Sequence, residues 1–421
     1  MKILYVSQYF PPEMGAPAAR AAELARHWVR ANHDVTVLTG FPNHPTGVIP
    51  TEWRSRWRRL AYREQVDGIH VIRTWLLPLP NRKAYERILN YSSFCLSACL
   101  RGFAIERPDV VIATSPQLLV GISGWWIARW KDVPFVLEVR DLWPESLTAV
   151  GIGDEDSLLH RSLSAIAGFL YEHAQHVVVV TPAFKEFLVR KWTIPSTKLS
   201  IVENGVETSL FAPLSDQSDL KRKLGLDGKF VVCYVGTMGM AHGLDSLLEA
   251  AESLQSNPKI AFLLVGEGAD KERIKTIAIQ KGLKNISFID QQPRDKVPTF
   301  IAASDACLVL LKKTELFKTV IPTKMLEFMS CGRPVILGVE GQARQILDEA
   351  QAGIAIEPEN ASCLVHAIQR LEADASLTDQ FAANGRRYVV ENYSRDRTAL
   401  EYIAVLDRVV QRDTKNRSGE P

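Results

Sequence analysis

The sequence predicts an α/β protein built from two doubly wound, parallel-sheet domains, and three observations support this prediction. The chain has 421 residues, which exceeds the usual size of one domain. Short apolar runs alternate with stretches of helical periodicity along most of the chain, and this alternation is typical of parallel βαβ units. A segment containing Gly and Pro, residues 203–213, fits a linker between two sets of such units.

The first domain opens on a βαβ unit. The pattern predicts a strand over Lys2–Ser7, a helix over about 17–31 and a second strand over 35–39. Further predicted strands of this domain are 69–73, 109–113, 135–139, 177–181 and 199–202.

The second domain repeats the alternation. Its predicted strands are 230–236, 260–266, 286–289, 306–310, 334–337 and 353–356. Beyond Ala361 the pattern is helical to about Arg412, and the polar residues 414–421 are expected to form a disordered tail.

Composition excludes several functional classes. The formal net charge is +2, so bulk electrostatics give no support to nucleic-acid binding. Six cysteines without a C-x-x-C pair indicate reduced thiols in the cytoplasm and argue against a zinc site. The apolar run at the N-terminus is too short for a signal peptide. All nine tryptophans lie in the first 192 residues, which indicates different tasks for the two halves.

The most informative stretch is 320–337. Pro322 suits the first position of a helix, Gly332 suits its end, and a strand follows. Lys324 would add a full positive charge to a helix N-terminus, which already favours anions. Glu327, on the same helix face, could accept hydrogen bonds from two hydroxyls. The pair suits a nucleoside diphosphate with its ribose; the alternative is an amphipathic helix with two solvated charges.

This stretch resembles the nucleotide-binding signature of the retaining glycosyltransferases of family 4. That family has the GT-B architecture, in which two Rossmann-like domains face a central cleft and a C-terminal helix crosses back to the first domain. The usual pattern is Glu-x7-Glu, and its ribose-binding second Glu corresponds to Glu327, whereas Thr319 replaces the first. The Pro-Thr-Lys segment resembles a bacterial polysaccharide subgroup that includes WbuB-type N-acetyl-L-fucosamine transferases.

The resemblance implies a division of labour between the domains. Residues 1–204, completed by a helix over 394–413, would form the acceptor side, and residues 205–393 would bind the nucleotide sugar. The residues it implies for donor binding are Gly15, Gly236, Thr237, His242, Gly266, Gly268, Ile289, Thr323, Lys324, Met325 and Glu327.

Besides Thr319, three positions depart from the usual pattern of the family. The loop after the first strand usually has two adjacent glycines near the donor phosphate, and the second position here is Ala16. The Arg and Lys that usually hold the diphosphate correspond to Thr237 and His242. A buried diphosphate without a cation would cost several kcal/mol, so Lys324 is expected to replace them. For His242, a helix-start position without phosphate contact is the alternative.

The loop after the strand 135–139 supplies the candidate catalytic residues. Arg140 and Asp141 occupy the place of the family's His-Asp pair. Arg140 can only stabilise charge, whereas Asp141 or Glu145 could accept a proton from an acceptor hydroxyl. Capping and surface charge are the alternative roles for the two acids. The resemblance implies that the leaving phosphate itself assists the acceptor, which would make an enzymic base unnecessary.

Two further loops could contribute to function. Asn43 and His44 follow the second strand and would bind the acceptor or simply form a turn. Residues 154–156 resemble the Asp-x-Asp motif of metal-dependent glycosyltransferases, but acids are also favoured at a helix start. We therefore expect no metal site and no cofactor, with a UDP-sugar as co-substrate.

The segment Glu52–Glu64 suggests membrane contact. It combines five arginines with Trp53, Trp57 and Tyr62, a mixture suited to an anionic bilayer surface. The uncharged run 88–100 is too short to span a membrane. We expect peripheral attachment to the inner face of the cytoplasmic membrane; a solvated basic face is the alternative.

Together these features predict a retaining glycosyltransferase of bacterial surface polysaccharide synthesis. It would transfer a sugar, expected to be an N-acetylated amino sugar, from a UDP donor to an acceptor linked to polyprenyl diphosphate. Two alternatives are a nucleotide-sugar 2-epimerase of the same architecture and a sugar-binding protein without catalytic activity.

Overall fold

The computed structural model describes residues 1–44, 46–80, 83–146, 157–214 and 218–418. The chain divides into two compact units. Unit 1 comprises Met1–Asn204 and Arg395–Pro421, and unit 2 comprises Gly205–Ser394. Each unit has its own mostly parallel sheet and its own buried cores, which confirms the predicted fold class. The Asp-x-Asp segment 154–156 lies outside the described residues.

The described part of unit 1 has an eight-stranded sheet in the order β3-β4-β2-β1-β5-β6-β7-β8. Every neighbouring pair is parallel except β3 with β4. The strands are β1 Lys2–Val6, β2 Asp34–Gly40, β3 Ala61–Val66, β4 Ile69–Thr74, β5 Val110–Thr114, β6 Phe135–Val139, β7 His176–Val179 and β8 Leu199–Ile201.

Helices cover both faces of this sheet. They are α1 Ala16–Arg30, α2 Thr51–Trp57, α3 Ala84–Gly102, α4 Leu118–Lys131, α5 Leu158–His173, α6 Pro182–Trp192 and the C-terminal helix Arg395–Ser418. The C-terminal helix packs on α1, where the rings of Trp28 and Tyr402 lie 5.2 Å apart and the Trp28 indole N–H donates to the Ala399 carbonyl. This contact makes the C-terminal helix part of the unit 1 core.

The expected disorder of residues 414–421 is wrong for 414–418, which continue the C-terminal helix. Arg417 pairs with Asp413 at 2.7 Å, an i,i+4 ion pair that supports the last turn, and it also pairs with Asp132. A polar composition therefore does not prevent helix formation here, because charged side chains on adjacent turns can pair.

The aromatic residues of the basic segment 52–64 pack partly within unit 1. Trp53 is buried against Phe41 and Tyr62, and the Arg56 guanidinium lies over its ring. The second half of the segment forms the unpredicted edge strand β3. Trp53 is therefore used for packing within unit 1, whereas Trp57 and Tyr62 are half-buried.

Unit 2 contains a six-stranded, fully parallel sheet in its described residues, in the order β11-β10-β9-β12-β13-β14. The strands are β9 Phe230–Val235, β10 Ile260–Val265, β11 Ile286–Ile289, β12 Ala306–Leu310, β13 Val335–Gly338 and β14 Gly353–Ala355. The helices are α7 Ser218–Lys223, α8 Asp245–Ser253, α9 Lys271–Gln280, α10 Val297–Ala302, α11 Thr323–Ser330, α12 Gln342–Ala350, α13 Ala361–Ala373 and α14 Ala375–Asn392.

Strand β9 shows why this sheet is buried on both faces. Val231 and Cys233 belong to one apolar core, while Val232 and Tyr234 belong to the other. Successive side chains of a strand point to opposite faces, so an unbroken apolar run fits a sheet that is covered on both sides. Helices accordingly pack on each face.

Candidate functional site

The strand orders locate one candidate site in each unit. Strand order reverses between β1 and β5 in unit 1, and between β9 and β12 in unit 2. In open parallel sheets, ligands bind beyond the carboxyl ends of the strands at such a reversal. The loops that follow β1 and β9 are therefore the natural places for binding groups, and Gly15 and Gly236 lie in these loops.

The loops after β9 and β10 pack closely through glycines. A Cβ on Gly266 would overlap the carbonyl oxygen of Gly236, and a Cβ on Gly268 would overlap that of Met238. Both glycines also have positive φ, at 150° and 158°. The Met238 N–H donates to the Glu267 carbonyl at 2.8 Å, which fixes the two loops together. The glycines thus shape the floor of the site.

Lys324 extends over this floor. Its Nζ donates to the Tyr234 hydroxyl at 2.8 Å and lies 4.1 Å from the centre of the Tyr234 ring. A Cβ on Gly236 would lie 3.5 Å from the same nitrogen. The Tyr234 hydroxyl in turn donates to the Thr237 carbonyl at 2.6 Å. The ammonium group is thereby held beside the backbone of the glycine loop.

The electrostatic setting of Lys324 is unusual for a lysine. No carboxylate forms an ion pair with it in the part of the chain that the structure describes. Desolvation lowers its pKa to about 7, although the charge of Glu327 raises it. A bound polyanion would supply the missing negative charge and raise this pKa again. Lys324 is therefore a candidate residue for binding an anionic ligand.

Helix α11 begins one residue later than its sequence predicts. Pro322 is the N-cap, with extended backbone, and Thr323 is the first helical residue. Met325 is fully buried in the core, and its N–H donates to the Pro322 carbonyl. Gly332, with φ 65°, follows the C-terminal cap Cys331. Thr323 and Lys324 thus lie in the first turn.

Glu327 forms an ion pair that the sequence analysis missed. Its Oε1 accepts a hydrogen bond from Arg294 Nη1 at 2.9 Å. The Arg294 guanidinium also lies 4.8 Å from the centre of the Phe211 ring. These contacts restrict the Glu327 carboxylate one turn beyond Lys324. In the sequence, only a single arginine in the loop after β11 hinted at this pair. Arg294 and Glu327 are 33 residues apart, so their contact could not be predicted from local spacing.

His242 cannot provide a permanent positive charge. Burial and the charge of Lys324 lower its pKa to about 3, so it is neutral near neutral pH. Its Nδ1 lies 3.2 Å from both the N–H and the carbonyl oxygen of Gly239. When Nδ1 accepts from the Gly239 N–H, Nε2 carries the ring hydrogen and can act as a neutral donor.

Ile289 contributes through its backbone. The carbonyl of Ile289 accepts from the Gly266 N–H at 3.0 Å. The next residue, Asp290, accepts from Lys271 Nζ at 2.6 Å, and the same nitrogen donates to Glu267. The loops after β10 and β11 are thereby connected by hydrogen bonds from both backbone and side chains.

The loop after β6 in unit 1 separates the three candidate catalytic residues into different environments. Arg140 has two buried nitrogens, Nε and Nη1, without hydrogen-bond partners among the described residues. Burial, reinforced by the nearby charge of Arg20, lowers its pKa. Burial raises the pKa of Asp141, which accepts from Ser146. Glu145 instead pairs with Lys191 at 2.8 Å. The two acids therefore differ in their hydrogen-bond and ion-pair partners.

The loop after β2 is anchored by a residue that the sequence analysis did not select. The Glu13 carboxylate accepts from the backbone N–H groups of Asn43 and His44, both at 3.0 Å. Burial raises the pKa of Glu13 to about 7, although these hydrogen bonds lower it. Glu13 could have been selected from the sequence, because it lies two residues before Gly15 in the loop that follows β1.

Asn43 and His44 have different surroundings. The Asn43 side chain is buried, donates to the Phe41 carbonyl and accepts from Asn90. His44 is exposed, and its ring centre lies 5.0 Å from that of Tyr9. Asn43 thus has structural partners, whereas His44 could contact a ligand through its ring.

Two family models match most of the chain. The model described as a glycosyl transferase 4-like domain matches residues 15–205, and the model described as glycosyl transferases group 1 matches residues 216–388. Among curated proteins, the chain is 24% identical over 413 residues to the putative colanic acid biosynthesis glycosyl transferase WcaI of Escherichia coli K12, covering 96% of this chain and 99% of WcaI. It is 26% identical over 330 residues to the probable glycosyltransferase WbjE of Pseudomonas aeruginosa, covering 77% and 80%.

Solved structures share the fold. Sucrose-phosphate synthase from Thermosynechococcus elongatus matches with a TM-score of 0.77 at 20% identity, covering 97% of this chain and 98% of that one. Anabaena HepE in complex with UDP and glucose matches with a TM-score of 0.73 at 17% identity, covering 97% and 99%. The chain therefore belongs to the family 4 type of glycosyltransferases with the GT-B fold, in which a glycosyl transferase 4-like domain precedes a group 1 domain.

Proposed function

We propose that this glycosyltransferase transfers a sugar from a UDP-sugar to an acceptor linked to polyprenyl diphosphate, with retention of the anomeric configuration. The observation that carries the proposal is Lys324, which lies desolvated and without a carboxylate partner beside the glycine loop of unit 2. A diphosphate is the part of a nucleotide sugar that requires such a cation.

The donor would bind along the carboxyl edge of the unit 2 sheet. Lys324, the loop at Gly236 and Thr237, and neutral His242 would hold the diphosphate. Glu327, oriented by Arg294, would accept hydrogen bonds from the ribose hydroxyls. The backbone around Ile289 would contact the base. Lys324 would then compensate part of the phosphate charge, neutral His242 would donate to a phosphate oxygen, and no metal ion is proposed.

In the transfer step, the acceptor hydroxyl attacks the anomeric carbon while the bond from that carbon to the phosphate oxygen breaks. The acceptor proton passes to the departing phosphate oxygen on the same face of the sugar, which retains the configuration. Lys324 would stabilise the charge that develops on UDP. On the acceptor side, Arg140 would stabilise charge, and Asp141 or Glu145 would position the hydroxyl.

The similar proteins support parts of this proposal. HepE has been solved with UDP and glucose, and WcaI is named a putative colanic acid biosynthesis glycosyl transferase. The GDP-mannose-dependent alpha-mannosyltransferase of Mycobacterium tuberculosis is 25% identical over 378 residues, so relatives use more than one nucleotide. An N-acetylated amino sugar follows from the resemblance to WbuB-type transferases. We further propose that the enzyme works at the inner face of the cytoplasmic membrane.

A ligand panel tests the donor. Thermal shifts with UDP-, GDP- and TDP-sugars should show stabilisation by UDP-sugars, because a ligand that binds only the folded state raises the melting temperature. The best UDP-sugar is then incubated with polyprenyl-diphosphate-linked acceptor, and mass spectrometry should show one added sugar. Stabilisation by GDP- or TDP-sugars alone would contradict the UDP assignment, and an epimer formed without acceptor would favour a 2-epimerase.

Glu327→Ala tests the ribose contact. The substitution removes charge-assisted hydrogen bonds worth about 1.5–3 kcal/mol each, and calorimetry should show a corresponding loss of UDP affinity. Glu315→Ala is the matched control, because its side chain is exposed and pairs with Lys318 on the surface. Equal affinity of Glu327→Ala and wild type would exclude Glu327 from ribose binding.

A further inference from the structure

The outward face of helix α3 in unit 1 is apolar along most of its length. Leu89, Leu96 and Leu100 share one side of the helix, and the last two are 64% and 62% exposed. The other side packs inward through Phe94 and Ala98, which are fully buried. A helix on the surface of a soluble domain normally presents polar residues to water, so this second apolar face needs an explanation.

Helix α4 extends the same apolar surface. Trp126 and Trp130, one turn apart, are 40% and 62% exposed. The Trp130 ring lies 4.7 Å from the ring of Phe103, which directly follows α3, in an edge-to-face arrangement. Tryptophans on α4 and leucines on α3 therefore form one continuous surface. We call it the α3–α4 patch and define it by Leu89, Leu96, Leu100, Phe103, Trp126 and Trp130.

Positive charges flank this patch. Helices α3 and α4 together contain four cationic residues and one carboxylate, and the cations lie near the helix ends. Arg129 is exposed beside Trp130. Lys131 Nζ donates to the Phe103 carbonyl at 3.1 Å, which places an ammonium group next to the aromatic edge. An anionic bilayer binds surfaces that combine three features. Leucines enter the boundary with the acyl chains, tryptophans lie at the headgroup interface, and cations at the periphery contact the anionic headgroups.

We propose that the α3–α4 patch docks on the surface of an anionic phospholipid bilayer. The patch replaces the segment 52–64 as the membrane contact, because Trp53 of that segment is buried. Among the described residues, no helix has the length and apolar character needed to cross a membrane. The inference deepens the proposed function, because an acceptor on polyprenyl diphosphate is itself confined to the bilayer.

Vesicle flotation tests the patch. The probe is a set of vesicles containing equal amounts of phosphatidylcholine and phosphatidylglycerol, compared with phosphatidylcholine alone. Wild-type protein should float with the mixed vesicles and do so less at high salt, because salt screens the cations. Leu96→Glu with Leu100→Glu should reduce the partition coefficient at least about tenfold, since two apolar side chains no longer enter the interface.

Leu400→Glu is the matched control. Leu400 lies on the C-terminal helix of the same unit and is 62% exposed, as is Leu100, but it lies outside the patch. This variant should float like wild type. Equal flotation of the Leu96/Leu100 variant and wild type would overturn the proposal. A wild-type protein that does not bind vesicles and instead forms dimers, which the Leu96/Leu100 variant does not form, would also overturn it.

Calorimetry with UDP on the same preparations separates the two proposals. If the Leu96/Leu100 variant still binds UDP, the variant is folded. Its loss of flotation is then caused by the substitutions in the patch and not by unfolding. Normal flotation without binding of any nucleotide sugar would contradict the proposed function while leaving the docking surface intact.

Discussion

The two units place desolvated cations in opposite electrostatic settings. In unit 1, Arg20 is 2% exposed and pairs with the fully buried Glu138 at 2.8 Å, and Glu138 also accepts from the Tyr5 hydroxyl at 2.8 Å. In unit 2, Lys324 has the Tyr234 hydroxyl as its partner, and no carboxylate among the described residues pairs with it. Arg20 is almost fully buried and Lys324 is half-buried, but only Arg20 has a carboxylate paired with it among the described residues.

The difference separates a structural cation from a binding cation. Arg20 also donates to the carbonyls of Val202 and Glu203. These hydrogen bonds fix the backbone near Asn204, where the first segment of unit 1 ends. An ionised side chain without a countercharge is costly in such an environment, which is why the pKa of Lys324 falls to about 7. We infer that a ligand supplies the missing charge of Lys324.

Glu138→Ala should have the largest effect, and the effect should be on stability. Removing the carboxylate leaves Arg20 buried without a countercharge, which lowers the free energy of unfolding by about 3–5 kcal/mol. Urea unfolding measures the change. Glu106→Ala is the control, because Glu106 pairs with Lys2 at the surface and should cost less than about 1 kcal/mol. Similar losses in the two variants would contradict a structural role for the Arg20 pair.

Lys324→Met should weaken donor binding without reducing stability. The affinity for the UDP-sugar should fall by about 1.5–3 kcal/mol, the value of a hydrogen bond to a charged group, while the free energy of unfolding is not reduced. Calorimetry and urea unfolding measure the two quantities. Lys259→Met, at the opposite end of the unit 2 sheet, should leave both unchanged. A destabilised variant with normal donor affinity would make Lys324 a structural residue.

The smallest effect should be a pH dependence of donor binding. Free Lys324 loses its proton above about pH 7, and a bound diphosphate favours the charged form, so binding above this pH requires proton uptake. The affinity for a UDP-sugar should therefore fall as pH rises, by at most about tenfold per pH unit. Calorimetry across this range measures it. A flat profile in wild type would contradict the low pKa.

The same low pKa predicts how stability changes with pH. The unfolded chain holds the Lys324 proton up to the ordinary value of 10.5, whereas the folded state releases it near 7. Between these values the unfolded state binds more protons, so the contribution of Lys324 to the free energy of unfolding should increase with pH. Lys324→Met should lack this contribution.

The sequence predicted local geometry correctly where the residues are close along the chain. Helix α11 puts Lys324 and Glu327 on neighbouring turns, and Gly266 with Gly268 marks a tight loop after β10. These features follow from helical periodicity and from the space that a Cβ requires. The fold class likewise followed from the regular alternation of strands and helices.

The remaining features depend on contacts between distant segments. The pair of Arg294 with Glu327 and the hydrogen bonds from Asn43 and His44 to Glu13 join different loops, and periodicity carries no information about such contacts. Exposure is also decided by packing: Trp53 is buried in a basic segment, whereas Leu96 is exposed in an uncharged one. An exposed apolar surface of unit 1 therefore lies on α3, where composition alone did not indicate it.

Proton uptake on donor binding tests the central claim most directly. The tightest UDP-sugar is titrated calorimetrically at about pH 8 in buffers of different ionisation enthalpy, where free Lys324 is mostly neutral. Wild type should take up close to one proton per donor bound, and Lys324→Met should take up none. Binding without proton uptake in wild type, or equal uptake in both proteins, would show that Lys324 does not bind the diphosphate.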